Sequence, residues 1–227
     1  MATATETLPK LLVLISGTGT NLQALIDATL SSPPKIQARI THVIANLSQK
    51  AKPGLERARK VGIPTSVRTL KSYRDQVPQK YVDDVIARNE YDADLAEYIL
   101  NGIGERPDLI VCAGWMHILA PAFLGPMRLA GIPIINLHPA LPGAFNGTHA
   151  IERAWKAFQA GEITKTGVMI HYVIEAVDEG EPVVVKEIEL KEGESLDALE
   201  ERIHKVEHQA IVEGTNIALK SLKERNA

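Results

Sequence analysis

The chain has 227 residues, 45% of them hydrophobic and 23% charged, with a formal net charge of -3 and a pI near 6.2. That length can bury one sizeable core, and Lys and Arg residues scattered among acids form no basic stripe for a nucleic-acid backbone. No apolar run approaches the roughly 20 residues of a membrane span, and Met1 to Lys10 lacks the charged-then-apolar order of a secretory signal; a soluble, cytoplasmic protein with neither nucleic-acid nor membrane partners is expected.

Leu11 to Ile15 is continuously apolar and ends in Ser16-Gly17-Thr18-Gly19-Thr20-Asn21, after which Leu22, Leu25 and Ile26 recur at helical spacing, predicting strand, tight turn and helix. A second apolar run, Ile40 to Ala45, precedes a helix over about Pro53 to Val61, which Gly62-Ile63-Pro64 stops before the short run Thr65 to Val67. The polar segment from about Tyr81 to Leu100 places Val82, Val85, Ile86, Leu95 and Ile99 on one expected helix face. Apolar strands follow at Leu109 to Ala113 and Pro133 to Leu137. Alternating strands and helices of this kind predict an α/β fold, a Rossmann-like doubly wound, mostly parallel sheet. The second half adds a helix over Ile151 to Gln159, then strands over Gly167 to Ile174 and Pro182 to Leu190, joined by an Asp-Glu-Gly-Glu turn that implies an antiparallel extension. A closing helix from about Leu196 to Leu222 offers Leu199, Ile203, Val206, Ala210 and Ile217 to the core.

A strand ending in glycines and opening a helix presents backbone N–H groups at the positive end of the helix dipole, which suits a phosphate. A dinucleotide fingerprint needs a third glycine where Leu22 stands and usually an acid where Asn46 stands, so a monophosphate fits better than NAD. Taken alone, the same turn could serve structure only. Farther along, the strand Pro133 to Leu137 delivers Asn136 and His138 to its carboxyl end, where ligands bind in such sheets. Two residues apart on extended backbone, they can point to one side and donate to one developing oxyanion. They could equally cap a strand end. Asp178, in the turn Val177-Asp178-Glu179-Gly180, is available to tune a general acid, although by itself it reads as an ordinary turn acid. His138, His149 and His171 lie on separate elements, His204 and His208 have no cysteine or acid to complete a zinc site, and Cys112 reads as a small buried hydrophobe. No metal is expected.

Four groups of residues carry a resemblance: Ile15-Ser16-Gly17-Thr18-Gly19-Thr20-Asn21-Leu22-Gln23 with Gly54-Leu55-Glu56-Arg57-Ala58; Ala113-Gly114-Trp115-Met116-His117-Ile118-Leu119; Asn136-Leu137-His138-Pro139-Ala140-Leu141-Pro142-Gly143; and Gly167 through His171 with Val177-Asp178-Glu179-Gly180. In that order, from about Leu11 to Ile217, the chain closely resembles the glycinamide ribonucleotide formyltransferase family of purine biosynthesis. The resemblance implies the formyltransferase fold and one domain over 1–227, with a nucleotide-binding part over about 10–135 and a catalytic, folate-binding part over about 136–222. It implies transfer of a formyl group from 10-formyltetrahydrofolate, a cosubstrate and not a tightly bound cofactor, to the amine of phosphoribosyl glycinamide. It assigns catalysis to Asn136, His138 and Asp178, and the ribonucleotide to Gly19, Thr20, Asn21, His204 and Glu207. Folate falls to Arg88, to Met116, His117, Ile118 and Leu119, to Asn136, and to Ile174, Glu175, Ala176, Val177 and Asp178. Many members carry Arg where His117 stands, which leaves the pterin edge to the backbone here. They also commonly read His-Pro-Ser-Leu-Leu-Pro where this chain has His138-Pro139-Ala140-Leu141-Pro142, so a differently shaped loop is expected after His138.

Overall fold

The computed structural model of the protein describes residues 7–74 and 84–226. In chain order it forms β1 (Lys10–Ile15), α1 (Thr20–Leu30), β2 (Arg39–Ala45), α2 (Lys52–Lys60), β3 (Thr65–Val67), α3 (Leu70–Arg74) and α4 (Asp84–Glu97). A π-helical turn (Tyr98–Gly102) leads to β4 (Leu109–Cys112), α5 (Pro121–Leu129), β5 (Ile134–His138), α6 (Ala150–Gln159), β6 (Lys165–Tyr172), β7 (Pro182–Glu189) and α7 (Leu196–Asn226). The strands form one seven-stranded sheet in the order β3-β2-β1-β4-β5-β6-β7. β1 to β5 pair in parallel, whereas β6 runs antiparallel to both β5 and β7.

The continuous apolar character of β1 follows from burial on both faces. Leu11, Val13 and Ile15 join one apolar layer with Leu22, Leu25 and Ile26 of α1 and Leu199, Ile203 and Ile211 of α7. Leu12 and Leu14 point the other way, into a layer with Tyr91 and Leu95 of α4 and Phe123 and Met127 of α5. From β1 the order runs outward through β2 on one side and through β4 on the other, which leaves a crevice beyond the carboxyl ends of β1 and β4.

Two expectations need correction. Val85 and Ile86 are 59% and 48% exposed, and the buried face of α4 is Ala87, Tyr91 and Leu95; at 100° per residue Ile86 and Leu95 stand on opposite sides of a helix. Tyr81 and Val82, named in the same expectation, lie outside the described residues. Ile217 is 40% exposed. The inward face of this part of α7 is Ile211, Gly214, Thr215, Ala218 and Leu219, and Gly214 lies so close to β6 that a Cβ would come within 2.7 Å of Ile170 Cγ2. The antiparallel extension expected of the second half is formed by β6 and β7, with β6 running antiparallel to β5 as well as to β7. Among the described residues no helix is long and apolar enough to cross a membrane.

Candidate active site

At the end of β1 the chain turns through Gly17 and Gly19 into α1. Gly19 has φ 74, and a Cβ on it would lie 2.7 Å from Gly54 Cα, because the first turn of α2 packs against it. Only glycine suits both conditions. Gly17 differs: a Cβ there would meet nothing within 4 Å, and the residue lines the cleft. α1 has no side-chain cap and no acid in its first turn, so its leading N–H groups are left for an anionic ligand. Ser16 braces the turn, donating from Oγ to Asn46 Oδ1 at 2.6 Å and accepting the Met116 N–H at 2.7 Å. Asn46 therefore supports the turn at the position where a dinucleotide fold carries its acid. Asn21 Nδ2 donates to Glu207 Oε2 at 3.0 Å, tying α1 to α7. Gly19, Thr20, Asn21, His204 and Glu207 all line the one cleft.

β5 brings Asn136 and His138 to the same cleft, and the antiparallel register sets Asn136 opposite His171 of β6. Directly paired residues share a face of the sheet. Asn136 Nδ2 lies 3.2 Å from His171 Nε2 and 3.4 Å from Asp178 Oδ1. His171 Nδ1 is 2.9 Å from the Tyr172 carbonyl, which can only accept, so Nδ1 carries a proton and a neutral ring accepts at Nε2 from Asn136. Asp178 has φ 58. Its Oδ2 accepts the Gly147 N–H at 2.8 Å and lies 3.4 Å from His138 Nδ1, while Oδ1 lies 3.4 Å from His171 Nε2. Gly180 makes this turn possible, since a Cβ there would sit 1.6 Å from the Tyr172 carbonyl oxygen.

Burial opposes charge on Asp178, but the Gly147 amide donor and the neighbouring His171 and His138 rings outweigh it, holding the carboxyl below its ordinary range. For His138 the balance reverses. Burial outweighs the Asp178 carboxylate and the Ala144 carbonyl, with the charges of His171 and Arg153 adding to burial, so the imidazole sits below its ordinary value and is mostly neutral at neutral pH.

The cleft has a volume of about 480 Å³, within the usual range for a small-molecule site. Met116, His117, Ile118 and Leu119 form part of its wall, and Ile174, Glu175, Val177 and Asp178 another part. Ala176 and Arg88 are not on the wall: Ala176 is exposed on its loop, and Arg88 is exposed on α4. His117 turns into the protein, its side chain 7% exposed, with Nε2 at 2.7 Å from Asp92 Oδ1. Asp92 is wholly buried, and its other oxygen accepts the Ala120 N–H at 2.6 Å. This pair fixes both ends of segment 117–120 from α4. Among the described residues no three His, Cys, Asp or Glu side chains gather as metal ligands. Sequence reasoning missed His171 and the Gly147 amide, and only the β5–β6 register and a loop fold unreadable from composition place them.

An uncapped helix start on one wall and an Asn-His-Asp cluster on another, at the switch point of a doubly wound sheet, define an α/β enzyme that acts on small molecules. Residues 9–215 match the formyl transferase family. Over 203 residues the chain is 54% identical to phosphoribosylglycinamide formyltransferase of Schizosaccharomyces pombe, covering 89% of this chain and 93% of that one. The chain belongs to the formyl transferase family, on its phosphoribosylglycinamide formyltransferase branch. The Saccharomyces cerevisiae relative of the same name is 46% identical over 217 residues, covering 94% of this chain and 98% of its own. Among solved structures, glycinamide ribonucleotide transformylase 1 from Geobacillus kaustophilus superposes with a TM-score of 0.72 at 31% identity, covering 93% of this chain and 99% of that one.

Proposed function

We propose that the protein transfers the formyl group of 10-formyltetrahydrofolate to the amine of phosphoribosyl glycinamide, with the phosphate at the start of α1 and the folate against segments 116–119 and 174–178. The observation that carries this reading is the placement of Asn136, His138 and Asp178 around one point of a cleft whose other wall opens on the uncapped N-terminus of α1. Full-length similarity to named phosphoribosylglycinamide formyltransferases supports the choice of acceptor.

The neutral amine attacks the formyl carbon, the new C–N bond forms, and negative charge builds on the formyl oxygen. Asn136 donates to it with the amide hydrogen that is not held by His171, the one now directed at Asp178 over a long 3.4 Å. His138, mostly neutral beforehand, already has Asp178 Oδ2 on its Nδ1 side. An oxyanion on the ring's other side raises its proton affinity, so the ring takes up a proton from solvent as charge builds on the oxygen and returns it when that charge collapses. The bond from carbon to the folate nitrogen then breaks, and a water oriented by Asp178 relays the amine's proton to that nitrogen. The protein forms no covalent bond to the formyl group. The reading is tested by following tetrahydrofolate release from 10-formyltetrahydrofolate with a panel of amine acceptors. Release is expected with phosphoribosyl glycinamide alone; equal release with water as the only acceptor, or with an amino sugar, would contradict it.

A further inference from the structure

The loop between β5 and α6 holds an unusual backbone: Gly143, Phe145, Gly147 and His149 have φ of 74, 52, 84 and 57. Two of the four are not glycine, and side chains at such φ persist only where surrounding contacts hold them. The contacts come from Arg153 of α6. Its Nη2 donates to the Phe145 carbonyl and, at 2.7 Å, to the Asn146 carbonyl, and its guanidinium lies 5.7 Å from the Phe145 ring centre.

The Asn146 carbonyl and the Gly147 N–H belong to one trans peptide unit, so they point in opposite directions. Arg153 holds this unit by its oxygen, and the N–H on the far side donates to Asp178 Oδ2 at 2.8 Å. The peptide is thus clamped between a cation and a carboxylate, each polarising it toward the other. That N–H is the shortest contact of the Asp178 carboxylate, whose approaches to His138, His171 and Asn136 are all 3.4 Å. We infer that Arg153 is a positioning residue for the transfer reaction: through the Asn146–Gly147 peptide it sets the place and the ionisation of the Asp178 carboxylate. The inference rests on the catalytic role proposed for Asp178.

The test is Arg153→Met, a neutral change at an exposed position, read in two ways. The first is the pH titration of the Gly147 amide proton by NMR, assigned by its response to Asp178→Asn. In the wild type this amide should titrate with the carboxylate, and in Arg153→Met the response should be lost. The second is kinetic. kcat should fall roughly tenfold with both KM values within about twofold, and the acid limb of kcat should move up by about one unit, because a carboxylate that loses its best donor binds protons more readily. Arg153→Lys keeps the charge without the planar fork and should recover only part of the loss. An unchanged amide titration and acid limb in Arg153→Met, or full recovery by lysine with the amide response still absent, overturns the inference. Normal turnover in Asp178→Asn would instead defeat the underlying role of Asp178, so the two failures are distinguishable.

Discussion

His138 has acceptors beside both ring nitrogens, Asp178 Oδ2 at 3.4 Å from Nδ1 and the Ala144 carbonyl at 3.4 Å from Nε2. A neutral ring can satisfy only one of them, yet burial keeps the ring mostly neutral. Asp178 is the main influence pulling the imidazole pKa back up, so its removal has a definite sign. In Asp178→Asn the His138 pKa should fall farther below its ordinary value, both KM values should stay nearly unchanged, and kcat should drop roughly 100- to 10,000-fold. NMR titration of the ring, assigned with His138→Asn, reads the first effect; an unchanged titration with near-normal turnover would remove Asp178 from the mechanism. Asn136 and His138 were legible in the sequence because two polar groups leave an apolar strand at the end where ligands bind. His171 was not, since its meeting with Asn136 depends on which strand β6 pairs with, and a strand's own residues do not name its partner.

Among elements, the turn from β1 into α1 was the most legible, because an apolar run, two glycines and a helical repeat agree in adjacent residues. The structure divides the labour of those glycines. Gly19 is required by the fold, through its positive φ and its contact with Gly54, so replacing it would disturb the turn and the ligand together. Gly17 has open space where a side chain would point, and its backbone carries no positive φ. Gly17→Ala should therefore leave thermal stability nearly unchanged while intruding on the ribonucleotide. Its KM for phosphoribosyl glycinamide should rise about tenfold or more, with the folate KM within about twofold. A parallel rise in both constants would argue against a phosphate at this turn. Other elements were hidden for identifiable reasons. α5 contains Gly125 and Pro126 within nine residues, so breakers mask a helix that begins with Pro121 at its favourable first turn. In α4, Val85 and Ile86 suggested a buried face, but Ala87, Tyr91 and Leu95 occupy it.

At the scale of the molecule, one sheet joins the two parts that the sequence suggested, and the cleft draws on both. Gly17 follows β1, Trp115 follows β4, Asn136 ends β5, and Glu207 reaches in from α7, which packs back over α1 through the Asn21–Glu207 bond. The doubly wound class was readable from alternating elements, while the contribution of α7 to the first half followed only from the family resemblance, which set His204 and Glu207 beside Gly19, Thr20 and Asn21, because contacts over such sequence separation leave no local pattern. The proposed reaction moves a formyl group between two ligands held on opposite walls of this cleft. It is tested most directly by a single-turnover reaction with excess protein, phosphoribosyl glycinamide and 10-formyltetrahydrofolate labelled at the formyl carbon, followed by NMR. The label is expected to pass into the amide of the formylated ribonucleotide in step with tetrahydrofolate formation; label appearing as free formate, or remaining on the folate, would rule the transfer out.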